Sequence, residues 1–295
     1  MFKGAINRSS DEISLSLSDS DFLHYSRQVL LPEVGEAGQI LLANAHVAVI
    51  GIGGLGNVAA QYLAAAGVGH ITLVDGDDVE VSNLPRQLLF TVSDIGGNKA
   101  QVAQKKLSHA YTQVKLAAVT DYLTKDNIQQ ALSIQALGIQ EMGIEAGQYD
   151  LLLDCSDNFE TRQLVNRFAI SNQLPLVSAS AAHFQGQLLN IDQRHSPQSG
   201  CYHCLFPADM QVGQSCQTVG VLGPMVGTLA SMQALMALQQ LLGHRDTVGK
   251  LFRFDGKQFS WREARLPRSK DCLVCRADSN NNNGNGNDCE PEYRS

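Results

Sequence analysis

Short, mostly apolar runs separated by polar, glycine-punctuated stretches predict alternating strands and helices from residue 46 onwards. Strands are expected at 47–50, 71–74, 114–119, 151–153 and 176–178. Helices are expected at 57–66, 98–110, from about Lys125, and at 161–172. The run at 47–50 has no polar alternation, as in a strand buried on both faces of a parallel sheet. Residues 185–191 alternate instead, and 252–255 with 258–265 predict a hairpin around Gly256, so an antiparallel extension should follow. The expected fold class is therefore α/β, a Rossmann-like and mostly parallel sheet flanked by helices. Residues 217–243 carry no charge, but Gly220, Gly223, Pro224 and Gly227 interrupt them, and three glutamines dilute the rest. A buried helix over about 225–242 fits better than a membrane span. A helix near Asp21 carries Tyr25, Ser26, Arg27 and Gln28, with a second at about 36–42. Ser-rich residues 1–19 and the Asn-rich tail 279–295, which holds Cys289, are expected to be disordered. Residues 20–278 are expected to form one unit, with a nucleotide core at about 46–182 and a second part at 183–278. Residues 131–148, rich in Gln, Gly and Ile, are assigned no function.

The first strand runs into Gly51, Gly53, Gly54 and Gly56, a G-x-G-x-x-G loop opening a helix. Such a loop lets backbone approach a phosphate at a helix N-terminus, where unpaired N–H groups and the dipole favour anions. The second strand delivers Asp75, where a carboxylate can hold ribose hydroxyls. NAD, FAD and ATP all remain open at this point. The next loop, Ser82, Asn83, Leu84, Pro85, Arg86 and Gln87, adds an arginine, and Lys99 follows at a helix start. A triphosphate uses both cations, one as a planar fork and one as a point charge.

The 22 basic residues against 29 acidic ones, net −7, argue against a general nucleic-acid binder. No secretory signal is apparent among the polar first twenty residues, so a reducing cytoplasmic compartment is expected. The cysteines then read as metal ligands before disulfides. Cys201 with Cys204 and Cys272 with Cys275 form two CxxC pairs, able to surround one structural tetrahedral zinc per chain. Their long separation permits a shared site without demanding one. Cys155 is expected to be a buried strand-end residue. Cys216 stands apart in a polar, glycine-flanked loop.

From about Asp21 to Cys275 the chain resembles the ThiF/MoeB/HesA family of sulfur-carrier-protein adenylyltransferases, relatives of the ubiquitin-activating enzymes. HYSRQVLLPEVG, GIGGLG, SNLPRQ, DCSDN and the two CxxC pairs carry the resemblance, in order. SCQTVGVLGP and FDGKQFSW are closest to the thiamine branch. The resemblance implies ATP-dependent adenylation of the C-terminal Gly-Gly carboxylate of a ubiquitin-like carrier. It implies Arg86 and Lys99 on the phosphates, with Ser82 to Arg86 lining the nucleotide. Asp157, beside Asn158, would work with magnesium, and Arg27 would reach the neighbouring subunit's ATP, hence a homodimer. Cys216 would form an acyl-disulfide link during sulfur transfer from a persulfide donor.

The molybdopterin branch shares every ATP residue. An NAD-dependent oxidoreductase could use the same glycine loop but leaves SNLPRQ, Lys99 and Arg27 without a role. A binding protein that only docks a carrier would not need Arg86, Lys99 and Asp157. An adenylating enzyme of modified tRNA adenosine fits poorly with the negative charge and the paired cysteines.

Overall fold

The computed structural model describes residues 16–133, 149–210 and 220–276. The chain enters through α1 (Asp19–His24), α2 (Ser26–Val29) and α3 (Gly35–Ala43). Strands and helices then alternate: β1 (His46–Ile50), α4 (Gly54–Ala65), β2 (His70–Val74), α5 (Lys99–Ala110), β3 (Lys115–Val119), α6 (Ile128–Ala131), β4 (Leu151–Asp154), α7 (Phe159–Ser171) and β5 (Leu176–Ala182). Then come β6 (Gln185–Ile191), α8 (Tyr202–Leu205), α9 (Gly223–Leu241), β7 (Lys250–Asp255) and β8 (Ser260–Arg265).

All eight strands form one sheet in the order β3-β2-β1-β4-β5-β6-β7-β8. The pairs from β3 to β5 are parallel, and those from β5 to β8 antiparallel. This is the α/β architecture with an antiparallel extension that the apolar pattern predicts. Leu63, Leu73, Leu153, Leu229 and Ala237 belong to one buried cluster. Ile50, Leu152, Val165, Phe168, Leu189 and Cys201 belong to the other. The strand order reverses beside β1, whose neighbours are β2 and β4. Ile50 pairs with both Val74 and Asp154, so the carboxyl ends of these three strands lie level. Ligands of open α/β sheets bind at such a switch point.

Two expectations are corrected here. The first helix is broken at Tyr25 rather than continuous. Tyr25 turns inward, only 5% exposed, and its hydroxyl accepts from Gln113 Nε2 at 2.8 Å. The small-residue stretch Ser178 to Ala182 continues β5 instead of leaving it, pairing as far as Ala182 with Gln185. The expected helix at about 225–242 is α9, and among the described residues no helix is long and apolar enough to cross a membrane. Expectations for residues 1–15 and 134–148, for Cys216, and for residues from 277 on, Cys289 included, fall outside the described residues.

A buried ion pair ties β4, β5 and α7 together. Asp154 is 1% exposed and Arg162 6%. Arg162 Nη1 lies 3.3 Å from Asp154 Oδ2 and donates to Ser178 Oγ at 3.0 Å. Its Nη2 donates to Ala179 O at 2.8 Å and to Ser156 O. Asp154 also accepts from Ser156 Oγ at 2.6 Å and Ser178 Oγ at 2.8 Å. Gln233 of α9 donates to the carbonyls of Asp154 and Val177, both at 3.0 Å. Removing one partner of a buried pair strands the other charge. Arg162→Ala is therefore expected to cost about 3–5 kcal/mol of stability, read as a lowered midpoint in urea denaturation; an unchanged midpoint would show that the pair contributes nothing.

Candidate functional site

The glycine loop and the DCSDN segment meet across the fork between β1 and β4. Gly51 has φ +88, and a Cβ on it would lie 2.9 Å from the Cys155 carbonyl carbon. A Cβ on Gly56 would sit 1.8 Å from Gly51 O, so the first turn of α4 closes directly onto the strand end. Gly53 has no side chain to cap α4, and the helix N-terminus opens towards the sheet edge.

Asp75 leaves β2 at the same edge. Its Oδ2 accepts the Ile52 N–H at 2.6 Å and its Oδ1 the Asp77 N–H at 2.8 Å, tying the second strand end to the glycine loop. Burial raises the Asp75 pKa, opposed by the nearby Lys99 charge. Lys99 is the first residue of α5 and only 6% exposed. Its Nζ lies 2.8 Å from Asp77 Oδ2. Asn98 caps the helix by accepting from Gln101 N.

The SNLPRQ loop folds over the start of α4. A Cβ on Gly54 would be 3.6 Å from Arg86 Cγ, and one on Gly53 would be 3.8 Å from Gln87 Nε2. Arg86 Nη1 donates to Ser82 O at 2.9 Å. Asn83 is buried, its Oδ1 accepting from Glu80 N at 3.1 Å and its Nδ2 donating to Ser82 Oγ at 3.3 Å. Leu84 is partly buried against the core, while Ser82 and Pro85 are exposed. A Cβ on Gly223 would be 2.5 Å from Pro85 O, so the start of α9 braces this loop.

Asp157 is exposed at the edge beyond β4. The cap of α7 is Asn158, which accepts from Thr161 N at 2.8 Å, so the Asp157 carboxylate is left to face solvent. Cys155 is buried, and burial pushes its thiol pKa up, which leaves it inert. Lys106 is partly buried, pairing with Asp94 and donating to Leu89 O at 3.0 Å. Arg27 is exposed on α2, away from these contacts, and among the described residues it has no ion pair. Sequence reasoning missed Asp77, Gln87, Tyr122 and Arg162. Gln87 stood visibly in SNLPRQ, but its position over Gly53 is tertiary.

A second centre lies in the other core cluster. The sulfurs of Cys201, Cys204, Cys272 and Cys275 all lie within 4.8 Å of one another. Cys201 is 3.7 Å from Cys272, Cys204 is 3.4 Å from Cys275, and Cys201 is 4.0 Å from Cys204. These are free thiols. A tetrahedron with metal–sulfur bonds of about 2.3 Å has edges of about 3.8 Å, so the four fit one metal ion. Ser269 N and Asn166 Nδ2 donate to Cys204 and Cys201 at 3.4 and 3.5 Å, as donors around thiolates do. His203 is excluded from the set: its Nδ1 is 3.0 Å from Gln163 Oε1.

A glycine loop at the switch point of a mostly parallel sheet defines a Rossmann-type α/β protein. The chain belongs to the ThiF family, whose model matches residues 25–274. It is 40% identical to a sulfur carrier protein ThiS adenylyltransferase of Escherichia coli K12, covering 88% of this chain and 97% of that protein. It is 40% identical to a sulfur carrier protein adenylyltransferase of Thermus thermophilus, covering 85% and 89%. It is also 40% identical to an adenylyltransferase and sulfurtransferase MOCS3 of Danio rerio, covering 89% of this chain but 54% of that relative. The chain thus spans about half the length of that third protein. Among solved structures, Escherichia coli MccB with ATP superposes with TM-score 0.68 at 22% identity, covering 85% of this chain and 73% of that one, which speaks to the fold alone.

A chelator is expected to release about one metal ion per chain and to lower the melting temperature, because a four-thiolate site forms only on folding. Elemental analysis against protein concentration checks the ratio. A metal-free protein with an unchanged melting curve would empty the centre of this role.

Proposed function

We propose that this chain is an ATP-dependent adenylyltransferase acting on a ubiquitin-like sulfur-carrier protein of the ThiS type, in thiazole and thiamine formation. The observation that carries the reading is 40% identity to a ThiS adenylyltransferase over nearly that protein's whole length. The glycine loop, Asp75, Arg86 and Lys99 lie along one sheet edge in support. In this reading Gly51, Gly53, Gly54 and Gly56 cradle the phosphates and Asp75 holds the ribose. The carrier's terminal glycine carboxylate attacks the α-phosphorus. The bond to the β-phosphate oxygen breaks, pyrophosphate leaves, and an acyl-adenylate remains. A carboxylate is already a nucleophile at neutral pH, so the chain's part is positioning and charge stabilisation. Arg86 and Lys99 supply cations, and Asn83 holds the SNLPR turn and offers its weakly engaged Nδ2. The exposed Asp157 carboxylate suits a magnesium ion, which prefers one or two carboxylates plus phosphate oxygens and water and would neutralise phosphate charge. Zinc suits the four thiolates, as a structural ion that leaves no open position.

Arg27 completes the site in this reading from a partner subunit. Exposed Phe22, Leu23, Leu30 and Leu31 flank it, an apolar surface suited to a homodimer contact. Cys216 lies four residues before Gly220, whose carbonyl accepts the His183 N–H at 3.0 Å. As a thiol in a polar, glycine-flanked stretch of sequence, Cys216 suits a link to the carrier during sulfur transfer from a persulfide. Reduced thiols of this kind belong in the cytoplasm. A molybdopterin-type carrier is the second reading, supported by the MOCS3 relative.

Carrier-dependent ATP–pyrophosphate exchange tests the reading, with thiamine-type and molybdopterin-type carriers run side by side. Exchange is expected with the thiamine-type carrier. Arg86→Ala should lower its rate by about 10²–10³-fold, the usual scale for one lost charge-stabilising donor. Exchange with the molybdopterin-type carrier alone would move the pathway, and exchange with neither would sink the reading. Cys216→Ser is expected to keep full adenylation while losing the covalent carrier adduct, followed by mass spectrometry; loss of adenylation in a folded Cys216→Ser protein would contradict the assignment.

A further inference from the structure

A nearly buried lysine needs something to keep it charged and aimed. Lys99 is 6% exposed at the start of α5. Its backbone N–H donates to Asp77 O at 2.9 Å while its Nζ lies 2.8 Å from Asp77 Oδ2, so one residue holds both ends of the lysine. The other carboxylate oxygen is occupied too: Tyr122 OH donates to Asp77 Oδ1 at 2.5 Å. Tyr122 comes from the loop after β3, and its ring lies against Gly76, where a Cβ would be 2.7 Å from Tyr122 Cγ. Asn98 Nδ2 donates to the carbonyls of Asp75 and Asp77 at 3.0 and 3.2 Å, fixing the loop on which the carboxylate stands. Two elements, the start of α5 and the loop after β3, thus converge on the Asp77 side chain beside the proposed ribose-binding carboxylate.

We propose that Asp77, clamped by Tyr122, is a positioning residue that holds Lys99 charged and directed along the nucleotide-binding edge. The proposal rests on the reading of Lys99 as the phosphate-binding cation. Burial works against the Asp77 charge, but its bonds to Lys99 and Tyr122 hold its pKa below the usual carboxylate range. The same bond to Asp77 pushes the Tyr122 phenol up to about 12. The ionisable groups around the pair are Asp75, Asp77, Asp78 and Tyr122. Burial raises the Asp75 pKa, the bonds to Lys99 and Tyr122 lower that of Asp77, and the phenol is pushed above the working range. Loss of the lysine charge would show as an alkaline limb in the activity profile. With the carboxylate gone, burial favours the neutral amine, so that limb must move to lower pH.

The test compares Asp77→Asn, Asp77→Glu and Tyr122→Phe with the parent chain in carrier-dependent ATP–pyrophosphate exchange from pH 6 to pH 10. Asp77→Asn is expected to lose about 100-fold in kcat, the scale of a misplaced group. Its KM for ATP should change little, and its alkaline limb should move down by about one pH unit or more. Asp77→Glu should restore the limb and part of the rate. Tyr122→Phe should lose a few-fold in kcat. A parallel readout needs no catalysis: the rate at which an amine-acylating reagent labels Lys99, followed by peptide mass spectrometry across the same pH range with exposed Lys105 as reference. Lys99 labelling should begin at lower pH in Asp77→Asn. An inactive parent chain counts against the functional reading and leaves the labelling comparison to decide the positioning role. Unchanged kcat, limb and labelling in Asp77→Asn would overturn the proposal. If Asp77→Asn does not fold, Tyr122→Phe with parental kcat and a parental labelling profile would overturn it equally.

Discussion

The structure depends on one close contact, the backbone of Gly51 against Cys155 and Ser156 where β1 and β4 part. A Cβ at Gly51 would fall 2.9 Å from both the carbon and the oxygen of the Cys155 carbonyl. Only because that space is empty can the glycine loop turn off β1 while the DCSDN segment turns off β4. The Gly56 contact with Gly51 O then sets the start of α4, and Asp75 Oδ2 on Ile52 N ties in the end of β2. Three strand ends are thereby locked to one another, β1 and β4 by backbone contact and β2 through the Asp75 carboxylate. The groups that would handle a nucleotide stand on that locked edge, as precise positioning requires.

The sheet carries this order beyond its parallel half. β5 belongs to both parts, parallel to β4 on one side and antiparallel to β6 on the other. Arg162 bonds to Ser178 and Ala179 on β5 and to Ser156 beyond β4, so the same guanidinium supports the DCSDN turn and the seam between the two strand directions. The four-cysteine centre draws residues 201 and 272 together across 71 positions of sequence. Closing so long a loop costs only slightly more than closing a short one, because the entropy grows with the logarithm of length. One metal there would hold the segment after β8 against α7, through Asn166 and its bond to Cys201.

The fold was legible because its signals are local. Apolar strand runs, the helix-opening glycines and the alternation of 185–191 need no tertiary knowledge. The four cysteines were legible by chemistry, and the structure adds that the two pairs share one centre. Where the reading strayed, the deciding contact came from far away in the chain. Tyr25 breaks the first helix because it packs on Gly67 and bonds Gln113. Ser178 to Ala182 stay in β5 because β6 pairs with them. Asp77 and Tyr122 carry no motif at all; 45 residues separate them, and only the level ends of β2 and β3 bring them together.

The two buried cations differ in how fully the protein engages them. Arg162 has its hydrogen bonds made inside the protein, to Asp154, Ser156, Ser178 and Ala179, which makes it a strut. Lys99 has one carboxylate, and that carboxylate is itself 48% exposed on its side chain. An ammonium has three donors, so a lysine held by a half-exposed acid keeps capacity for an incoming anion. Among the described residues Arg86 likewise makes one side-chain bond, to a backbone carbonyl, and Arg27 and Asp157 face solvent. Arg162 is thus saturated inside the protein, while Lys99 and Arg86 keep donor capacity at the sheet edge. That difference is what a site needs if phosphate is to gain bonds on arrival without the scaffold giving any up.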